Sequence, residues 1–104
     1  MPQYAVAAAK VAGNATLLDT KNVTSVTRGN GTSSKGVYCV KVSARAVHDL
    51  ATAAIVATLN NSRGEITAIG APHSCCGNNA DTITVVTSDS SGTAADRPFT
   101  VAVL

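Results

Sequence analysis

The stretch Thr87-Ser88-Asp89-Ser90-Ser91-Gly92-Thr93-Ala94-Ala95-Asp96-Arg97-Pro98-Phe99-Thr100-Val101-Ala102-Val103 decides the fold. It reads as the end of one strand, a polar turn and a final strand. Phe99, Val101 and Val103 alternate with Thr100 and Ala102, the period-two pattern of a half-buried strand. Pro98 has no N–H to donate, so it belongs at the start of that strand, where no ladder bond is lost. An earlier counterpart runs Val23-Thr24-Ser25-Val26-Thr27-Arg28, then a polar turn, then Gly36-Val37-Tyr38-Cys39-Val40-Lys41-Val42.

Working outward, the same alternation recurs. Tyr4, Val6 and Ala8 alternate, as do Val37, Cys39 and Lys41 against Tyr38, Val40 and Val42. Ile66 and Ala68 alternate with Thr67 and Ile69, and Ile83 and Val85 with Thr82, Thr84 and Val86. β-Branched residues dominate these runs and suit a pleated surface. Turn chemistry separates them at Gly13-Asn14, Arg28-Gly29-Asn30-Gly31, Asn60-Asn61-Ser62-Arg63-Gly64, Gly77-Asn78-Asn79 and Asp89-Ser90-Ser91-Gly92. Gly and Asn accept positive φ, and Asp and Ser bond to nearby backbone. The spacing predicts an all-β fold: a two-sheet antiparallel β-sandwich of about seven to eight strands, its first and last strands close together. One stretch, residues 44–54, has apolar residues at helical spacing (Val47, Leu50, Ala51, Ala54) and predicts a connection with one helical turn. Tyr38 and Phe99 are the expected core anchors, since the only other aromatic residue is Tyr4.

Composition bounds the function. A chain of 104 residues reads as one domain, 1–104. Only 13% of the residues are charged, about half the usual share, with Thr, Ser, Asn and Gly in their place. Such an uncharged polar surface suits a secreted or virion protein. The net charge of +2 comes from scattered Lys and Arg, with neither a cationic cluster nor an aromatic platform, so no nucleic-acid partner is expected. No run of about 18 apolar residues exists, so no membrane insertion is expected either. The first residues lack a positive region ahead of their apolar part and do not read as a signal peptide.

Three cysteines carry the remaining chemistry. A zinc site would join His73 to Cys39, Cys75 and Cys76, but the side chains of adjacent cysteines diverge, which is awkward for one tetrahedral ion. The alternative is a disulfide from Cys39 to either Cys75 or Cys76. It closes a loop of roughly 35 residues and contributes about 3–4 kcal/mol in the chain-entropy model. The odd thiol is then buried or pairs with another chain. No cofactor is expected. His48-Asp49 with a serine could be drawn as a hydrolase site, but no Gly-x-Ser-x-Gly elbow supports it, so the chain does not read as an enzyme. The six carboxylates are isolated and show no calcium-loop spacing. Of these, Asp89 reads as a turn initiator and Asp96 as the bend before the last strand. Asn14, Asn22, Asn30 and Asn60 begin N-x-Ser/Thr sequons, which matter only in a eukaryotic secretory host.

In order along the chain stand Tyr4-Ala5-Val6, Asn22 to Arg28, Gly36-Val37-Tyr38-Cys39-Val40, Val56-Ala57-Thr58-Leu59 and Asp96-Arg97-Pro98-Phe99 to Val103. This ordered set resembles a family of small β-sandwich modules. They occur in secreted actinobacterial proteins of unassigned role and at the C-termini of phage tail-fibre proteins, often behind collagen-like repeats. The chain departs from that pattern in its Ala-rich residues 7–12, in its Cys75-Cys76 pair and in lacking a Gly-x-y run. The resemblance implies a β-sandwich and brings no catalytic residues.

The expected function is a non-catalytic structural or binding module of a virion surface, in a tail fibre or another phage surface protein. It implies a homo-oligomer, trimeric in the tail-fibre case, or contact with other virion proteins, and a cell-surface receptor or glycan as ligand. A secreted bacterial adhesion or protein-interaction domain is the alternative. Loops held by a rigid scaffold would carry binding. The candidates are Arg28, Asn30, Lys35, Asn60, Arg63, His73 and Asn78.

Overall fold

The structure is a computed structural model and describes residues 5–29, 35–43 and 49–104. Eight strands form two antiparallel four-stranded sheets. The strands are β1 (Ala7–Val11), β2 (Leu17–Lys21), β3 (Val23–Arg28), β4 (Val37–Val42), β5 (Ile55–Leu59), β6 (Glu65–Ile69), β7 (Thr82–Ser88) and β8 (Phe99–Val103). One sheet has the order β2-β1-β8-β5 and the other β3-β4-β7-β6. The expected two-sheet antiparallel sandwich is therefore the fold, and its first and last strands pair directly, Ala7 opposite Val103 and Val11 opposite Phe99.

Alternation sets the inner faces. In β8 Phe99, Val101 and Val103 are buried, and in β4 Tyr38, Val40 and Val42. Ile83 and Val85 of β7 complete the centre, and the Tyr38 and Phe99 rings meet edge-on with centroids 4.9 Å apart. The two aromatic side chains are fully buried, as expected of the core anchors. In β1 the inward set is Ala7, Ala9 and Val11 rather than Val6 and Ala8, and Val6 is 36% exposed. Pairing with β8 fixes this parity, because residues directly opposite one another share a face. Tyr4 lies outside the described residues.

The predicted turns that lie wholly within the described residues connect strands, and Asn30-Gly31 of the turn after β3 lie outside them. Gly13-Asn14 joins β1 to β2, residues 60–64 join β5 to β6, and Asp89–Gly92 begins the route from β7 to β8. Asp89 is the turn initiator its position suggested: Oδ1 accepts from Ser91 N, Ser91 Oγ and Thr93 N. Strand β2 was not evident in the alternation. It is a solvent-facing edge whose burial never alternates, and a single left-handed residue, Asn22 (φ 57°), carries the chain from it into β3 of the other sheet.

The helical turn expected over 44–54 is not formed in its described part. Residues 44–48 lie outside the described residues. From Asp49 to Ala54 the chain makes a turn, in which Asp49 Oδ1 accepts from Ala51 N and Leu50 is driven into the core at 2% exposure. The helical spacing comes from Leu50 plugging one end of the sandwich. The single helical element among the described residues is a 3-10 turn, Ser74–Cys76, between β6 and β7.

The register gives the sandwich two distinct ends. The connections β1–β2, β3–β4, β5–β6 and β7–β8 lie at one end, beside Val11, Arg28, Leu59 and Phe99. The β2–β3 crossing and the turn before β5 lie at the other.

Candidate functional site

At the four-loop end, residues far apart in sequence interlock. Arg28 closes β3, and its guanidinium lies over the Tyr38 ring, 4.7 Å from the centroid. Nη1 donates to Gly13 O at 3.3 Å, and Nη2 donates to Asp96 Oδ1 in an ion pair. Tyr38 Oη donates to the same Gly13 carbonyl at 2.6 Å. Asp96 Oδ1 also accepts from Gly36 N at 2.7 Å. Gly36 has φ 73°, and a Cβ there would run into the Thr87 carbonyl, so this position requires glycine. Thr87 in turn donates its N–H to Gly36 O and its hydroxyl to Ala95 O. Three connections, β1–β2, β3–β4 and β7–β8, are thereby tied together by side chains and main chain.

The electrostatics follow from this packing. Burial pushes the Asp96 carboxyl up, but the Arg28 hydrogen bond, the Gly36 N–H and the charges of Arg28 and Lys35 outweigh it and hold the group below the ordinary carboxylate value. Burial and the Asp96 charge push the Tyr38 phenol up, and the Arg28 charge only partly offsets them. Asp89 is held low by the Ser91 hydroxyl, then by main-chain N–H groups of its turn. Each carboxylate is engaged as a structural acceptor. Asp96 does more than shape the bend before β8: it binds both ends of the β3–β4 connection.

A second feature lies on the outer face of the β3-β4-β7-β6 sheet. Cys39 on β4 and Cys76 in the 3-10 turn form a disulfide, with Cα atoms 5.6 Å apart. Of the two pairings left open by the sequence, this is Cys39–Cys76. Cys75, half-buried, stays outside the bridge. His73 caps the turn: Nδ1 accepts from Cys75 N at 3.1 Å, and Gly77 closes it with φ 73°. With two sulfurs joined and His73 Nδ1 engaged, the ligands of the zinc reading do not converge. No group of three His, Cys, Asp or Glu that could hold a metal ion exists among the described residues. Beside the disulfide runs an open cleft of about 370 Å³, lined by Ser25, Thr27, Lys41, Asn79 and Thr82 together with the cysteines. Beneath this connection Thr84 is fully buried, and its hydroxyl has no hydrogen-bond partner among the described residues.

The loop candidates divide accordingly. Arg28, Lys35, Asn60 and Arg63 all belong to the four-loop end. Arg28 is spent on Asp96 and Gly13, and Asn60 on Thr100, whose hydroxyl bonds both atoms of its amide. Lys35 and Arg63 are exposed. Asn30 and His48 lie outside the described residues. His73 and Asn78 sit instead in the connection that walls the disulfide cleft, Asn78 in the left-handed region at φ 55°. Asp96 and Gly13 were not among the candidates. The one signal that pointed to Asp96 was its place ahead of Pro98-Phe99.

Among the described residues no helix is long and apolar enough to cross a membrane. A disulfide with both cysteines buried is compatible with an extracellular protein. No protein-family model, no curated protein and no solved structure matches the chain.

Proposed function

We propose that the chain is a non-catalytic structural or binding module of a virion surface, in a tail fibre or another phage surface protein. One observation carries this reading. Arg28, Gly36, Tyr38, Asp96 and Phe99, all from the segments that resemble the module family, meet in one interlock. Its bonds close on main-chain carbonyls and on one another, which is scaffold chemistry. A scaffold that fixes three loops at one end presents the exposed Lys35 and Arg63 there, and those loops are where a cell-surface receptor or glycan would be met. Other virion proteins or further copies of the chain are the remaining partners of such a module. Immunogold labelling of phage particles with antibody raised against the purified domain tests the assignment. Decorated tails are expected, and unlabelled particles that contain no peptide of this chain would sink it.

A second reading, a secreted bacterial adhesion or interaction domain, is favoured by the Cys39–Cys76 bridge, since disulfides persist in oxidising compartments. The same antibody would then detect the protein in cell-free medium of an uninfected culture.

A further inference from the structure

We infer that strand β5 is a self-pairing edge, through which two copies of this chain join their β2-β1-β8-β5 sheets around a two-fold axis. This deepens the functional reading by committing to a second copy of the chain as partner, and it rests on the β5 edge rather than on where the module is displayed.

Among the described residues no strand lies beyond β5 in its sheet. Its main chain is aimed by two flanking bonds: Leu104 N donates to Ala54 O at 3.0 Å, and Asn60 N donates to Pro98 O at 2.9 Å. Both face β8. With a strand period of two, residues 56 and 58 face β8 as well, and Ile55, Ala57 and Leu59 turn their N–H and C=O groups outward. Of these outward groups the Leu59 carbonyl accepts the Thr58 hydroxyl at 3.4 Å.

Natural edges are blunted by charge, proline or a bulge. The other three edges follow that rule. Strand β2 carries Asp19 and Lys21, β3 carries Arg28 and an irregular register between Val23 and Ser25, and β6 carries Glu65. Strand β5, Ile-Val-Ala-Thr-Leu, has none of these devices. The surface beside it is also apolar. Val56 is 52% exposed and lines a shallow groove with Thr58, Thr100 and Ala102, and Leu104 is 64% exposed at the end of the neighbouring strand. On the other flank a groove of about 430 Å³, lined by Ala57, Leu59, Arg63 and Ile66, leaves room along the edge.

The occupant these features fit is a second copy. Antiparallel pairing about Ala57 sets Ile55 opposite Leu59 of the other copy and Ala57 opposite Ala57, all with outward main chain, so the hydrogen-bonded positions coincide. Val56 then faces Thr58 of the other copy in a close, non-hydrogen-bonded pair. The segment carries no charge, so no like charges meet, and the contact closes on itself as an isologous dimer. Five paired residues bury less than the roughly 800 Å² per partner of standard-size complexes, so the expected dimer is weak and concentration-dependent.

Sedimentation equilibrium over a wide concentration range tests this. The wild-type chain is expected to dimerise. Val56→Lys and Thr58→Glu, at exposed positions where each variant should keep the fold of the monomer as read by its circular dichroism spectrum, should each weaken the dimer at least about tenfold, and mixing the two variants should restore it, because the new charges then lie opposite each other. A wild type that stays monomeric up to about 1 mM overturns the inference. So does a trimer, a dimer indifferent to both substitutions, or a mixture that fails to recover. None of these outcomes bears on the labelling of virions, so the two tests fail separately.

Discussion

Asp96, three residues ahead of β8, holds Arg28, the last residue of β3, across 68 positions of sequence, and the same carboxylate oxygen takes the Gly36 N–H. Long-range ties of this kind fix loop positions that local turn chemistry leaves open. Asp96→Asn removes the charge while keeping the shape. We expect a loss of about 1–2 kcal/mol, at the low end for a charge-assisted bond because the side chain is partly in water.

The same pair fixes a pH dependence. The Asp96 carboxyl is held below its unfolded value, so its contribution is fully present above about pH 4 and is lost as the pH falls through the folded pKa. Asp89 is shifted in the same direction. Urea midpoints measured between pH 7 and pH 2 should fall on the acid side, and Asp96→Asn should flatten that fall. An identical slope in the variant would remove Asp96 from the account.

Phe99 is fully buried against Tyr38. Phe99→Ala should cost about 3–5 kcal/mol through lost burial and the cavity left behind. That is a large part of what a domain this size has, so the variant should be unfolded near 37 °C. Thermal unfolding followed by circular dichroism reads this directly, and an unchanged melting temperature would place Phe99 outside the core.

The Cys39–Cys76 bridge spans 37 positions. Replacing both cysteines by Ser should lower stability by about 3–4 kcal/mol, mostly by freeing the unfolded chain. Cys75→Ser should leave the non-reducing mass two protons below the reduced one and the denaturant midpoint nearly unmoved. If Cys75→Ser instead abolished the mass difference, Cys75 would be the bridging residue.

Thr84 carries a predicted gain. Its hydroxyl is buried without a partner among the described residues, and Val has the same shape without the polar group. Thr84→Val should leave stability unchanged or raise it by up to about 1–2 kcal/mol, since the desolvation penalty disappears. A clear loss would reveal a partner for that hydroxyl.

Much of this architecture was legible in the sequence because burial alternates where a strand has one wet face. Strand β8 shows it plainly, with Phe99, Val101 and Val103 buried between half-exposed Thr100 and Ala102. In β4 and β7 the inward set Tyr38, Val40, Ile83 and Val85 followed the period of two, although Cys39, Thr82 and Thr84 on the outer face are buried as well. Strand β2 gave no such signal, since an edge strand with little burial has nothing to alternate. The Asn22 crossing was hidden for a related reason, as one left-handed residue leaves no turn cluster to read. In the described part of the 44–54 stretch Leu50 reaches the core from a turn, since a single plug residue needs no helix to do so. In the interlock, Arg28, Tyr38 and Asp96 were each visible. Their meeting was not, because composition and periodicity are local and the Arg28–Asp96 pair is joined only by the fold.

The antiparallel pairing of Ala7 with Val103 has a consequence for how the domain is mounted. The chain enters β1 and leaves β8 side by side, at the end of the sandwich away from the four loops. A cargo protein, a bead or a fluorophore tethered at either point therefore hangs behind the domain. Lys35 and Arg63 then look away from the tether, and an immobilised sample offers that face to whatever is passed over it.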